Sequence, residues 1–406
     1  VAKVIVCNLI YDAGELGEQM QADVVVVGAG IVGASCAFFL AKGGLKVYIV
    51  ERGSVASGTS GSGEGNILVS DKAPGPELEL AKLGCRVWKD LSQELPDDFE
   101  FEEKGGVVTA ETESNLRSLQ ASVSALQGAG VIAEMLDQAG MREAEPFLAH
   151  DLAGAAYFPQ DCQVQPMLAC AALVKAAMSY GAVFLDHTSL LSIERNRQGG
   201  ISGVTTDKGR IGTSLLINAA GPWSPKIAEL VGLELPIRPR KGHIVVTEPL
   251  PRLIHHKVFE ASYADTVNSG EADLQVASVV EGTQSGTILL GSSRQLVGFD
   301  PTVEVRVMRQ IVQRAVRYFP VLASVHALRA YVGFRAFAPD HLPVIGEAPE
   351  VPGFYINTGH EGAGIGLGPV SGKLLTQQIL KQPLDLDLAP FRPSRFKEDV
   401  ALLAHH

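Results

Sequence analysis

Asp23-Val24-Val25-Val26-Val27-Gly28-Ala29-Gly30-Ile31-Val32-Gly33 is the stretch whose reading decides the fold. A short apolar run that ends in glycine reads as a buried parallel strand. Ile31 to Lys42 continues with helical character, and Gly43-Gly44 closes it. Lys46 to Val50 is a second apolar strand, followed directly by Glu51. Strand, turn, helix, strand and acid span about 30 residues, the size of a βαβ unit. Each glycine has a separate task. Gly28 allows a tight turn, Gly30 lets backbone approach a diphosphate, and Gly33 lets the helix pack on the sheet. The N–H groups of Ile31 and Val32 open the helix, where an anion is favoured. Glu51 is placed to accept from ribose hydroxyls. A glycine-rich turn without a ligand is the competing reading, and the strand–helix–acid context weighs against it.

Around this unit lie 406 residues, more than one compact core usually holds, so two domains are expected. A net charge of -11 argues against sequence-independent nucleic-acid binding, which needs a basic surface. No apolar run reaches the roughly 20 residues of a membrane span. Residues 1–22 read as an extension ahead of the first strand and do not resemble a signal peptide. The five cysteines are Cys7, Cys36, Cys85, Cys162 and Cys170. They form no CxxC pair, which fits a reducing, cytoplasmic setting better than a disulfide framework. Cys36 falls inside the first helix as a small core residue. No metal-ligand spacing is present.

Further along, helices are expected over Glu77–Leu95, Glu113–Ala129, Met167–Tyr180, Val303–Tyr318 and Pro369–Leu380. Strands are expected at Gly106–Thr109, Ala182–Leu185, Leu190–Glu194, Leu215–Ala219 and Phe354–Asn357, with a β-rich region opening at Arg238. Gly53–Gly65 reads as a loop, and Ala330–Gly346 as an irregular, proline-containing segment.

The segment Glu51-Arg52-Gly53-Ser54-Val55-Ala56-Ser57-Gly58-Thr59-Ser60, leading into Glu64-Gly65-Asn66, resembles the D-amino-acid oxidase/glycine oxidase family of FAD-dependent oxidoreductases. The resemblance continues through Phe158–Asp161, His187–Leu191, Asn218–Ser224 and Pro239–His243. It extends to Gly333-Phe334-Arg335-Ala336-Phe337-Ala338-Pro339-Asp340 with His341–Gly346, and to Asn357–Pro369. It implies an α/β fold with a Rossmann-like FAD-binding domain of the glutathione-reductase type and a discontinuous α+β substrate domain. The FAD-binding domain would comprise residues 23–100, 150–237 and 335–395. The substrate domain would comprise 101–149 and 238–334.

By the same resemblance Gly28, Gly30, Ile31, Val32, Gly33, Glu51, Arg52, Thr59, Ser60, Glu64, Gly65 and Asn66 would hold FAD. Leu190 would contact adenine through its backbone, and Gly221 would border the cofactor. His360, Glu361, Gly362, Gly364, Ile365 and Gly366 would meet the flavin ring. Arg335 would clamp a substrate carboxylate, since guanidinium offers a rigid, charged fork. An ion pair between Arg335 and Asp340 is the alternative reading. Ala336 stands where the family usually has proline, and Gly362 where some relatives carry a polar side chain. His360 is a candidate base, or a residue that orders the loop. Cys162 and Cys170 lie far from the Arg335 block, so FAD is expected to be non-covalent.

The implied activity is oxidation of the C–N bond of a small amino or imino acid: glycine, a D-amino acid or a proline-type secondary amine. A 2-hydroxy-acid dehydrogenase remains an alternative. So does the flavin subunit of a hetero-oligomeric dehydrogenase, such as a D-hydroxyproline dehydrogenase, with small redox subunits. A homo-oligomer is the other assembly.

Overall fold

The structure, a computed structural model, describes residues 20–263 and 273–398. Its first sheet has six strands in the order Val344–Glu347, Phe354–Thr358, Leu215–Asn218, Val24–Val27, Val47–Val50, Val183–Leu185. Five of these strands run parallel, and Val344–Glu347 is the antiparallel edge. This is the mixed α/β, Rossmann-like sheet expected from the first motif.

Alternate valines divide its two faces, as the period of a strand requires. Val24 and Val26 pack with the helices Ile31–Lys42, Pro166–Ser179 and Gly364–Ile379. Val25 and Val27 pack against Ile201, Val204 and Ile211 of a small four-stranded sheet. That small sheet includes Met20–Gln21, so the extension adds a strand beside Gly209–Gly212. The helices Ile31–Lys42 and Gly364–Ile379 cross closely because of small residues. A Cβ on Gly372 would lie 2.8 Å from the Cys36 backbone N, and one on Gly368 3.2 Å from Ile31 Cγ2.

The second sheet has eight strands: Ala327–Phe337, Arg238–Thr247, Ile288–Arg294, Gln275–Gly282, Lys257–Glu260, Gly106–Ala110, Gly154–Phe158 and Glu134–Leu136. The amphipathic helix Val305–Tyr318 covers one of its faces with Val307, Ile311 and Ala315.

Two local expectations are corrected. Ala327–Phe337 is a long strand, not an irregular segment, and it pairs with Arg238–Thr247 along its length. Pro339 and Pro343 drew attention away from it, yet the strand stops two residues before the first proline. The last long helix begins at Gly364, not at Pro369, which lies inside it. Proline has no N–H for the carbonyl four residues back. Here Trp88 Nε1 donates to Ile365 O at 2.9 Å in its place.

Cys36, Cys85, Cys162 and Cys170 are free thiols, and Cys36 is fully buried. Cys7 lies outside the described residues. Among the described residues no helix is long and apolar enough to cross a membrane.

Candidate active site

The first turn is built as its glycines demand. Gly28 has φ +109°, and a Cβ there would lie 2.6 Å from Ala219 O. A Cβ on Gly33 would lie 2.0 Å from Gly28 O, so only glycine lets the helix approach the turn. Gly30 caps the helix without a side-chain hydrogen bond. Ile31 N donates to Ser60 Oγ at 2.9 Å, and Val32 is half-buried in the same first turn. The Glu51 carboxylate accepts from Ala29 N and Gly53 N, both at 2.8 Å. Those bonds fix the acid at the strand end.

Around it, Thr188 N donates to Glu51 O and His187 N to Gly53 O, which brings the start of the Leu190–Arg195 strand alongside. The Arg52 guanidinium lies over the Trp223 ring, 4.2 Å from its centroid. Gly221 has φ +54° and accepts from Thr358 Oγ1 at 2.9 Å.

This turn opens into a cleft walled on its other side by Gly242, Ile244 and Gly333 of the eight-stranded sheet. Of the residues expected to form the site, the structure brings Ile31, Thr59, Ser60, Glu64, Asn66, Arg335, Glu361, Gly362, Gly364 and Ile365 to its walls. Thr59 is tied across the cleft by a hydrogen bond to Phe334 O at 2.5 Å. Gly65 and Gly366 sit just behind the wall. Gly65 N donates to Glu281 at 3.2 Å, and a Cβ on Gly366 would lie 3.3 Å from Asn66 O. His360 is buried and its Nε2 lies 2.9 Å from Ser371 Oγ, which itself donates to Leu367 O. His360 is therefore the donor in that pair, and burial lowers its pKa to about 3.

Two helix N-termini meet at the cleft, those of Ile31–Lys42 and Gly364–Ile379. Neither N-cap residue, Gly30 or Ala363, supplies a side-chain hydrogen bond, although Ser60 Oγ takes the Ile31 N–H. Together the two ends offer backbone N–H groups and positive dipole ends to an anionic or electron-rich ligand.

Arg335 reaches the cleft from the end of its strand. Its Nη1 donates to Ser293 O at 2.8 Å. Among the described residues no carboxylate comes within 4 Å of it. The alternative pair with Asp340 does not form: Asp340 is held by Arg395 at 2.6 Å. Burial, then the neighbouring Arg294 cation, lowers the Arg335 pKa to about 10. The guanidinium stays charged at neutral pH and keeps its outer edge for an anion.

Behind it lies a charged cluster of which sequence reasoning named only Glu361 as a site residue. Glu361 pairs with Arg240 at 2.7 Å, Arg294 at 3.9 Å and His341 at 3.4 Å. Burial alone would raise its pKa. The close approach of His341 and the cations Arg240 and Arg294 outweigh burial and hold it at about 2. Charged residues inside the β-rich runs Arg238–Thr247 and Ile288–Arg294 were the available signal, because a buried charge demands a partner. Lys257 and Glu281, another missed pair, lie 2.5 Å apart behind Gly65. A Cβ on Gly362 would lie 3.5 Å from Arg335 Nε and 3.9 Å from Arg294 Nη2, so a side chain there would pack against both guanidinium groups.

The residues present fit FAD. A glycine turn at a helix N-terminus suits its diphosphate, and an acid fixed at the strand end suits its ribose.

Comparison with known proteins agrees with this geometry. The family described as FAD dependent oxidoreductase matches residues 23–378. Hydrogen cyanide synthase subunit HcnC of Pseudomonas aeruginosa is 29% identical, over 94% of this chain and 98% of that protein. Glycine oxidase of Geobacillus kaustophilus is 29% identical, over 92% of this chain and 97% of that protein. Its crystal structure superposes with a TM-score of 0.84, covering 93% of this chain and 99% of the other. L-proline dehydrogenase from P. horikoshii also gives a TM-score of 0.84, at 25% identity, over 94% and 99% of the two chains.

Proposed function

This chain belongs to the family of FAD-dependent oxidoreductases, and from that premise we propose that it oxidises the C–N bond of a small amino or imino acid. The product is an imine, which water hydrolyses. Glycine, a D-amino acid and a proline-type secondary amine are the candidate substrates. The observation that carries this reading is Arg335, a charged guanidinium in the cleft with no carboxylate among the described residues within 4 Å. Its planar fork matches the carboxylate of an amino acid.

FAD supplies the hydride acceptor when bound. The protein's part is to position and orient. In this reading Gly28, Gly30, Ile31, Val32 and Gly33 hold the diphosphate, and Glu51 the ribose. Arg52, Leu190 and Gly221 border the nucleotide half. Thr59, Ser60, Glu64, Gly65 and Asn66 form one side of the ring site. Glu361, Gly362, Gly364, Ile365 and Gly366 form the other, with a helix N-terminus favouring negative charge there. His360 orders the loop through Ser371. FAD is held non-covalently, consistent with cleft walls that carry no cysteine among the described residues.

The division into a discontinuous FAD-binding part and a substrate part belongs to the same proposal. Sheet membership supports assigning Gly154–Phe158 and residues 335–337 to the substrate part, which already held 327–334. A cytoplasmic location is proposed as well. Because one relative is named as a subunit, assembly with small redox subunits is a second arrangement beside a homo-oligomer. The 2-hydroxy-acid alternative is less well supported, because it needs a base and His360 already donates to Ser371.

Anaerobic mixing of the FAD-loaded protein with glycine and with D-, L- and cyclic amino acids tests the reading. Loss of oxidised-flavin absorbance with at least one amine is expected. Bleaching by 2-hydroxy acids alone would replace amine oxidation with the alternative.

A further inference from the structure

Two glycines on neighbouring strands make room for two opposite charges at the cleft. A Cβ on Gly242 would lie 2.2 Å from Arg335 Nη1, and one on Gly291 would lie 2.5 Å from Glu64 Oε1. The strands Arg238–Thr247 and Ile288–Arg294 are antiparallel partners, with Val245 opposite Leu290. Continuing that pairing by one residue sets Gly291 beside Ile244, whose Cδ1 lies 3.1 Å from the Gly291 Cβ position. Lys241 bridges Gln295, one residue out of that register, so the strand bulges between Leu290 and Gln295. Arg335 and Glu64 both line the one cleft. An α-amino acid offers a carboxylate to the guanidinium and an N–H donor to the carboxylate, each a charge-assisted hydrogen bond.

Glu64 has the chemistry for its end. The residue is only 9% exposed and lines the cleft. Its Oε2 accepts from Asn66 Nδ2 at 3.2 Å and lies 3.7 Å from Lys257 Nζ. Its Oε1 has no hydrogen-bond partner among the described residues. Lys257 is committed to Glu281 at 2.5 Å, so one ammonium serves two carboxylates. Lys104, beyond Glu281, is bonded to Gly282 O and lies 3.6 Å from Glu102. Arg335 and the phenol of Tyr331 are the other ionisable groups that feel Glu64, and Tyr263 shares the cleft wall. A buried carboxylate oxygen without a donor is costly unless a ligand supplies one.

We propose that Glu64 is the second half of the substrate clamp: its Oε1 accepts the substrate's amine N–H and stabilises the positive charge that develops on that nitrogen. This rests on the amine-oxidation reading. When the Cα–H bond breaks, its electron pair leaves as hydride to the oxidised flavin. The nitrogen lone pair becomes the second C=N bond, and the nitrogen becomes cationic. A fixed carboxylate facing that atom favours the transition state over the neutral amine. A hydroxy acid gains less, since oxidation of its alcohol ends in a neutral carbonyl. The substrate class is therefore an α-amino or α-imino acid with at least one hydrogen on nitrogen.

The test compares the FAD-loaded wild type with Glu64→Gln, which keeps shape and hydrogen bonding but not charge. The substrate is whichever of glycine, L-proline or D-proline reduces the wild type fastest. At saturation, anaerobic flavin reduction should be about 100-fold slower in Glu64→Gln, with partial recovery in Glu64→Asp. Calorimetric titration supplies a readout independent of turnover. Tetrahydro-2-furoate, a carboxylate without nitrogen, should bind both proteins alike, while 2-aminoisobutyrate, an α-amino acid with no α-hydrogen to lose, should bind Glu64→Gln roughly 10-fold more weakly. An unchanged flavin spectrum and melting temperature establish that the variant is folded. Reduction rates within threefold, or equal weakening of both ligands, would overturn the assignment while leaving amine oxidation intact. If no amine reduces the wild type, the amine reading itself fails and this assignment falls with it.

Discussion

Arg335 and Glu361 illustrate how differently two charges in one cleft are used. Arg335 keeps a free edge, so Arg335→Ala should raise KM for carboxylate-bearing amines about 10- to 100-fold, the worth of one or two charged hydrogen bonds. FAD should remain bound, as judged by the absorbance of the purified variant. An unchanged KM would remove Arg335 from substrate binding. Glu361, by contrast, is fully engaged with Arg240, Arg294 and His341. Glu361→Gln leaves two buried guanidinium groups without their anion and should cost about 3–5 kcal/mol in stability, read from denaturant titration. Arg335 was legible in the sequence because its block, Gly333 to Gly346, resembles a known one. Arg240 and Arg294 were not, because no local pattern says which buried strand residues carry compensated charge.

At the scale of elements, the approach of the helix Gly364–Ile379 to the cleft depends on two contacts. Trp88 donates to Ile365 O, the carbonyl that Pro369 cannot serve. Trp88→Phe should destabilise the protein by about 1–3 kcal/mol through that unpaired carbonyl. It should also raise hydrogen exchange in the first turn of this helix; unchanged exchange there would refute the link. The crossing with the first helix is the other contact. Gly372→Val would drive a branched side chain into the Cys36 backbone, costing about 3 kcal/mol by overpacking, and a shifted thermal midpoint would report it.

The first βαβ unit could be read residue by residue because its signals are all local: Ile31–Lys42 was expected over the very residues that form it. The Ala327–Phe337 strand was harder. Its alternation places Gly333 and Arg335 toward the cleft, but short residues and the nearby prolines weaken the apolar signal. Its partner, Arg238–Thr247, is remote in sequence, and pairing at that distance has no signature in a single chain.

For the molecule as a whole, the cleft carries its own sensitivity to acid. His360 has an ordinary value of 6.5 lowered to about 3, and Glu361 one of 4.5 lowered to about 2. In both cases the unfolded chain binds protons that the folded chain refuses. Stability is therefore fully present above about pH 6.5, and it declines as pH falls toward 2. Because the two residues adjoin the loop that enters the Gly364 helix, flavin fluorescence should rise, as cofactor is released, before far-UV dichroism is lost. Simultaneous loss of both signals would count against a local origin.

The strand order of the six-stranded sheet has a temporal consequence. Val24–Val27 and its glycine turn leave the ribosome well before Leu215–Asn218 beside them, and that strand is in turn flanked by Phe354–Thr358. A nascent chain must emerge past Phe354–Thr358 before that β-layer closes and Gly364–Ile379 can dock. Loading of the yellow cofactor should accordingly be a late event, and translation arrested near residue 340 should yield a colourless, protease-sensitive fragment.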